Sequence, residues 1–291
     1  MKMSGPIMNR VLTEIVANAL AEDIGTGDIT TMSTVPANQK AVGKLQMKQA
    51  GVIAGLEVAI EVFRQVDPQL SVDFSVENGD FVPAGTIIGE ISGSARSVLI
   101  GERVALNFVQ RLSGIATRTA GFVKLVEGTN ARIVDTRKTT PGLRLLEKMA
   151  VISGGGHNHR MGLYDAVMIK DNHIIASGGI TAAVTRARKA ISHTMTITVE
   201  CETLEQVAEA IDAGADILLL DNMDLETRTA AVKLTNGRAI TEASGGINES
   251  TAADIARCGV DILSIGALTH SAVALDISLD LYLESSGNIA R

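Results

Sequence analysis

From residue 132 to residue 265 the chain repeats one pattern. Short strand-like runs recur at 132–135, 166–169, 196–199, 216–220, 239–241 and 261–265, and helical apolar spacing fills most of the gaps, as at 204–213 and 251–258. Strands and helices that alternate in this way make a parallel sheet with crossover helices. Six such units in succession, with no dinucleotide GxGxxG after the first strand, favour a closed or nearly closed β/α barrel over an open dinucleotide-binding sheet. The expected fold class is therefore α/β, with a parallel sheet closed or nearly closed into a barrel.

The N-terminal third reads differently. Val11, Leu12, Ile15, Val16, Ala19 and Leu20 share one face of a helix over 9–21, and the run EDIGTGDITT at 22–31 reads as the loop that ends it. Residues 56–66 and 97–125 are helical in pattern. Residues 76–88 alternate apolar positions with turn signals at Asn78-Gly79 and Pro83-Ala84-Gly85, which predicts a β-hairpin in a small barrel-like domain. A carrier-type turn is not expected there, because it presents no lysine. The N-terminus has no continuous apolar core of the secretory kind.

Composition narrows the function. A net charge of −7 argues against a nucleic-acid binder, and an aromatic content of 2% without Trp argues against a base-stacking platform. No apolar run approaches the length of a membrane span. Cys201 and Cys258 form no CxxC pair and read as small buried side chains in a reducing, cytoplasmic setting.

Each strand of the repeat ends in chemically able residues: Asp135-Thr-Arg-Lys138, Lys170-Asp-Asn-His173, Glu200-Cys-Glu202, Asp221-Asn222, Glu242-Ala-Ser-Gly-Gly246 and Gly266-Ala-Leu-Thr-His270. In a β/α barrel these ends form one face, the active-site face. Arg137, Lys138 and Lys170 stand at strand ends, and Gly154-Gly155-Gly156 reads as a loop that delivers His159 and Arg160 to the same place. Guanidinium forks and ammonium charges suit carboxylate and phosphate, so a ligand with several negative charges is expected. Ser244-Gly245-Gly246, before a helix expected near Glu249, and Gly266-Ala267, before the last helix, resemble phosphate loops. Glu200 and Asp221 at neighbouring strand ends suit either Mg²⁺ carried mainly on substrate phosphates or a developing positive charge. No zinc-type ligand spacing and no nucleophile elbow occurs in the sequence.

Three blocks go further than chemistry. Asp135-Thr-Arg-Lys-Thr-Thr-Pro-Gly-Leu-Arg144, Gly154-Gly-Gly-His-Asn-His-Arg160 and Ile169-Lys-Asp-Asn-His173 together resemble the quinolinate phosphoribosyltransferase family (decarboxylating), of the type II phosphoribosyltransferases. Glu102-Arg-Val-Ala-Leu-Asn107, Ser113-Gly-Ile-Ala-Thr117, Leu220-Asp-Asn222, Ala243-Ser-Gly-Gly246 and Gly266-Ala-Leu-Thr-His-Ser271 extend the likeness from about residue 23 to 281.

The resemblance implies an N-terminal α/β sandwich over 1–115 that takes back 275–291, and an open β/α barrel of six or seven parallel strands over 116–274. It implies transfer of phosphoribosyl from phosphoribosyl pyrophosphate to quinolinate with loss of CO₂, a step in NAD biosynthesis, with Mg²⁺ and no organic cofactor. By the same resemblance, Arg103, Arg137, Lys138, His159, Arg160 and Lys170 would hold quinolinate or pyrophosphate. Glu200 and Asp221 would face the ribose or the metal. Ser244, Gly245, Gly246, Gly266, Ala267 and His270 would hold the 5′-phosphate. Lys138, Lys170, Glu200 and Asp221 are the expected catalytic set. A homodimer, or a hexamer built from it, would donate Arg103 in trans. The alternatives are a paralogous transferase with another heterocyclic acceptor, such as the relatives associated with molybdate uptake, and a non-catalytic phosphate-binding barrel.

Overall fold

The computed structural model describes residues 6–283. It divides into two compact units, one of Met1–Arg118, Thr140–Gly154 and Ala272–Arg291, the other of Thr119–Thr139 and Gly155–Ser271. Residues 1–5 and 284–291, which the sequence reading gave to the N-terminal domain, lie outside the described residues.

The first unit begins with helices α1 (Pro6–Ile24) and α2 (Ile29–Thr34). The loop expected at 22–31 is thus only a few residues long: α1 runs on through Ile24, and Asp28 starts α2 by accepting the Thr31 N–H at 2.9 Å. Then come β1 (Lys40–Met47), β2 (Gly51–Val52), α3 (Leu56–Val66), β3 (Ser71–Phe74), β4 (Phe81–Val82), β5 (Ile87–Ser94) and the long helix α4 (Ala95–Leu125). The principal sheet is antiparallel, with β1 between β5 and the last strand of the chain and β3 at its edge. Along β1, alternate residues Ala41, Gly43, Leu45 and Met47 are buried, as one face of a half-covered sheet requires. The hairpin expected at 76–88 does not form. Its two arms pair elsewhere, β4 with β2 and β5 with both β1 and β3, because turn residues specify a reversal but not the partner.

Two hydroxyls on α4, one buried and one half-buried, carry the β2 segment. Ser113 Oγ accepts the Ala54 N–H at 3.0 Å and Thr117 Oγ1 accepts the Val52 N–H at 2.8 Å. At Gly114 a Cβ would stand 2.0 Å from the Val273 carbonyl oxygen, so only glycine admits the returning C-terminal segment there.

The second unit holds β6 (Arg132–Val134), β7 (Val167–Ile169), α6 (Asp171–Ser177), α7 (Ile180–Ala190), β8 (Ile197–Cys201), α8 (Leu204–Asp212), β9 (Ile217–Asp221), α9 (Leu225–Thr235), β10 (Ile240–Ser244), α10 (Ala252–Arg257), β11 (Ile262–Ser264) and α11 (Ala267–His270). Helix α5 (Arg144–Ser153) interrupts this series and belongs to the first unit, and strand β12 (Ile277–Leu283) follows it and pairs with β1. The sequence reading gave 116–274 wholly to the barrel. Between strands, the apolar spacing of α5 looks like that of any crossover helix, but its buried Glu147 is paired with Arg111 of α4, within the first unit.

The six strands are parallel and ordered β6-β11-β10-β9-β8-β7. This is chain order around a barrel left open between β6 and β7, the open barrel that the family resemblance implies. A bridge between Val134 and His157 lines the β6 side of that opening. The six expected strands are all present, and β8 is buried along its whole length. No helix among the described residues is long and apolar enough to cross a membrane.

Candidate active site

A cavity of about 820 Å³ opens at the C-terminal ends of the barrel strands, and all its lining residues lie in the second unit. Three of the strands each contribute two side chains of one parity: Met168 and Lys170 at β7, Leu219 and Asp221 at β9, Glu242 and Ser244 at β10. Period-two alternation turns these inward, while their neighbours Ile169, Leu220 and Ala243 are buried in the core.

Three carboxylates on consecutive strands form one wall, and each has a different partner. Lys170 Nζ donates to Glu200 Oε2. Asn222 Nδ2 donates to Asp221 Oδ2 at 2.7 Å. His159 Nε2 lies 3.3 Å from Glu242 Oε1. The ring of His159 accepts the Arg160 N–H on Nδ1 at 2.7 Å, which leaves its proton on Nε2, toward Glu242.

The lining is also cationic. Arg137, Lys138 and Arg160 line the cavity. Burial lowers the pKa of the Arg160 guanidinium, and the neighbouring charge of Arg137 acts in the same direction, against Asp165. Asp165 also shapes the turn that carries Arg160. It accepts the Met161 and Gly162 N–H groups at 2.6 and 2.9 Å, and although burial opposes it, these bonds hold its carboxyl below the ordinary range. Two guanidiniums brought this close favour a ligand of several negative charges. His173 accepts the Lys170 N–H on Nδ1 at 3.0 Å, so its other nitrogen carries the proton.

Glycine backbone lines the cavity as well. Gly245 and Gly246 have φ of +81° and +64°. A Cβ at Gly266 would press to 2.9 Å on the Lys138 side chain, so glycine keeps that rim open. The helices expected after these loops are present but short. The first begins only at Ala252 and the second is the single turn Ala267–His270, so loop amides rather than a long helix terminus face the cavity there.

Of the residues singled out in the sequence, Arg137, Lys138, His159, Arg160, Lys170, Glu200, Asp221, Ser244, Gly245, Gly246, Gly266, Ala267 and His270 all line this one cavity. Arg103 does not. It lies on α4 in the first unit, exposed, 3.9 Å from Glu102. Asp135 is fully buried and outside the cavity lining, where it accepts the His159 N–H at 2.9 Å. Thr136, His173, Asn222 and Glu242, which the sequence reading placed at the strand ends without a substrate role, also line it, and so does Ser264, which it did not name. The parity of Ser244 was the available signal for Glu242, two positions before it. Cys201 is no nucleophile, because burial, with Glu200 and Glu209 nearby, pushes its thiol up to about 12.

Residues 28–113 match the N-terminal domain of quinolinate phosphoribosyl transferase, and residues 115–280 match the C-terminal domain of the same family. The chain belongs to the quinolinate phosphoribosyl transferase family. A Bacillus subtilis (strain 168) relative named "Probable nicotinate-nucleotide pyrophosphorylase (carboxylating)" is 45% identical over 274 residues, 94% of each chain. A chloroplastic nicotinate-nucleotide pyrophosphorylase (carboxylating) of Arabidopsis thaliana is 44% identical, over 96% of this chain and 85% of its own length. The crystal structure of NadC from Streptococcus pyogenes superposes with a TM-score of 0.93 at 41% identity, covering 98% of this chain and all of the other. As a member of the quinolinate phosphoribosyl transferase family, the chain is a phosphoribosyl-transferring enzyme of pyridine nucleotide biosynthesis.

Proposed function

We infer that the barrel cavity joins quinolinate to the ribose of phosphoribosyl pyrophosphate and removes one carboxylate, giving nicotinate mononucleotide, pyrophosphate and CO₂. The observation that carries this reading is the gathering of cations, carboxylates and glycine backbone around one cavity, in a chain whose relatives are named for this chemistry.

Arg137, Arg160 and Lys170 hold the two carboxylates of quinolinate, with His159 beside them. The Ser244–Gly246 loop, Gly266, Ala267 and His270 take the 5′-phosphate. Lys138 meets the pyrophosphate or the acceptor. As the bond from C1′ to pyrophosphate breaks, positive charge grows on the ribose, and Glu200 and Asp221 stabilise it or hold the ribose hydroxyls. The pyridine nitrogen then bonds to C1′ and becomes cationic. When the adjacent C–COO⁻ bond breaks, the electron pair stays on the ring carbon, CO₂ leaves, and a proton fills the position. The cationic nitrogen stabilises that carbanion, so the protein need only position the carboxylate.

Mg²⁺ fits this donor set as a visitor. No group of three or more His, Cys, Asp or Glu side chains able to hold a metal occurs among the described residues, and Glu200 and Asp221 suit a cation held chiefly by substrate phosphates. Bound there, it would neutralise charge on the leaving pyrophosphate. The reading includes a cytoplasmic homodimer, alone or within a hexamer, in which the exposed Arg103 completes the cavity of a second copy. Purified protein given both substrates and Mg²⁺ should form nicotinate mononucleotide and pyrophosphate in equal amounts, measured by mass spectrometry. Preference for another heterocyclic acid would overturn the acceptor and favour the paralogous reading.

A further inference from the structure

Among the described residues, two that are not glycine have positive φ, Asn222 at +52° and Asn236 at +47°. Asn236 caps the C-terminus of α9, where a left-handed residue is an ordinary way to end a helix. Asn222 ends no helix. It follows the last residue of β9, directly after the carboxylate Asp221, and it lines the cavity. Backbone strain of this kind persists only where the surroundings hold it, and it gathers at functional sites.

The surroundings are specific. The Asn222 N–H donates to the Ser244 carbonyl at 3.2 Å, and its side-chain amide donates to Asp221 Oδ2 at 2.7 Å. The amide oxygen then lies against Gly245, where a Cβ would stand 2.1 Å from it. Gly245 is itself left-handed, at +81°. Asp221 and Ser244 are already register partners in the sheet. One side chain therefore fixes the carboxylate of β9 and packs on the glycine loop of β10.

We propose that Asn222 is a positioning residue that locks the Asp221 carboxylate to the Ser244–Gly246 loop, so that the ribose end and the 5′-phosphate end of phosphoribosyl pyrophosphate are held at one fixed spacing. This rests on the reading of the cavity given under Proposed function. Asparagine combines the two properties needed: it tolerates the left-handed backbone better than most residues, and its amide offers a donor to a carboxylate. Aspartate at 222 would keep the backbone but set a second anion beside Asp221.

The test is Asn222→Gly, which keeps the left-handed backbone accessible and deletes only the clamp, compared with Asn222→Asp and Gly245→Ala. Steady-state kinetics should show KM for phosphoribosyl pyrophosphate raised about tenfold and kcat lowered about tenfold in Asn222→Gly, with KM for quinolinate unchanged within about twofold. Asn222→Asp should be at least as impaired, and Gly245→Ala should reproduce the rise in KM for the sugar donor. An Asn222→Gly enzyme with wild-type KM for phosphoribosyl pyrophosphate would overturn the proposal. So would an equal rise in both KM values, which marks a merely structural effect. The wild type is measured first. If it does not turn over quinolinate, the reading of the acceptor fails by itself, and calorimetric binding of phosphoribosyl pyrophosphate to wild type and Asn222→Gly still decides the clamp. A wild type that binds no phosphoribosyl pyrophosphate removes both.

Discussion

Both units bury carboxylates, and they use them differently. In the first unit Glu147 is fully buried and accepts from Arg111 Nη2 at 2.9 Å, from the Thr140 N–H at 3.1 Å and from Thr140 Oγ1 at 2.7 Å. Its oxygens are occupied, and it does not line the barrel cavity. In the second unit Glu200, Asp221 and Glu242 sit at the ends or inner faces of consecutive strands, each with one described side-chain partner and each bordering the cavity. A carboxylate met from several directions holds structure. A carboxylate with one partner and an open side retains the capacity for chemistry.

Removing the negative charge should therefore divide the two units. Glu200→Gln should lower kcat about a thousandfold with the melting temperature almost unmoved, whereas Glu147→Gln should leave activity per folded molecule intact and cost about 3 kcal/mol of stability. Paired kinetics and calorimetry check this, and a Glu200→Gln enzyme that loses stability but keeps its kcat would erase the distinction.

Arg103 sharpens the comparison, because it belongs to neither class. An exposed cation beside Glu102 adds little to its own fold. Arg103→Ala should lower turnover about a hundredfold without loss of stability, and mixing it with Glu200→Gln should regain part of the activity, since a mixed dimer would hold one intact site. Absence of rescue would mean that the site is built within one subunit.

Glu242 tests the smallest effect. It is 2% exposed yet borders the cavity, and its charge faces His159. Glu242→Gln should raise KM for quinolinate about tenfold and leave KM for phosphoribosyl pyrophosphate within twofold, because only the orientation of His159 changes. Equal shifts in both constants would return Glu242 to a structural role.

Much of this was legible in the sequence, for identifiable reasons. Strand recurrence between residues 132 and 265 announced the barrel, because its spacing admits few other folds. Polar strand ends announced the cavity, because strand ends in such a fold converge. Glu242 and Asn222 were named at the strand ends but given no role, for opposite reasons. Glu242 lies inside its strand, where only parity marks it as inward. Asn222 follows a conspicuous aspartate, and its importance lies in a backbone angle that residue type alone does not reveal. The partners of β4 and β5, and the membership of α5 in the first unit, depend on long-range pairing, which local turn and helix signals do not encode.

The most direct test uses quinolinate labelled at the 2-carboxylate. With phosphoribosyl pyrophosphate and Mg²⁺, the wild-type protein should release labelled CO₂ in step with pyrophosphate, and release should cease when the sugar donor is left out and fall about a thousandfold in Glu200→Gln. Well-folded wild-type protein that releases no label, or releases it without the sugar donor, would contradict the account of the cavity.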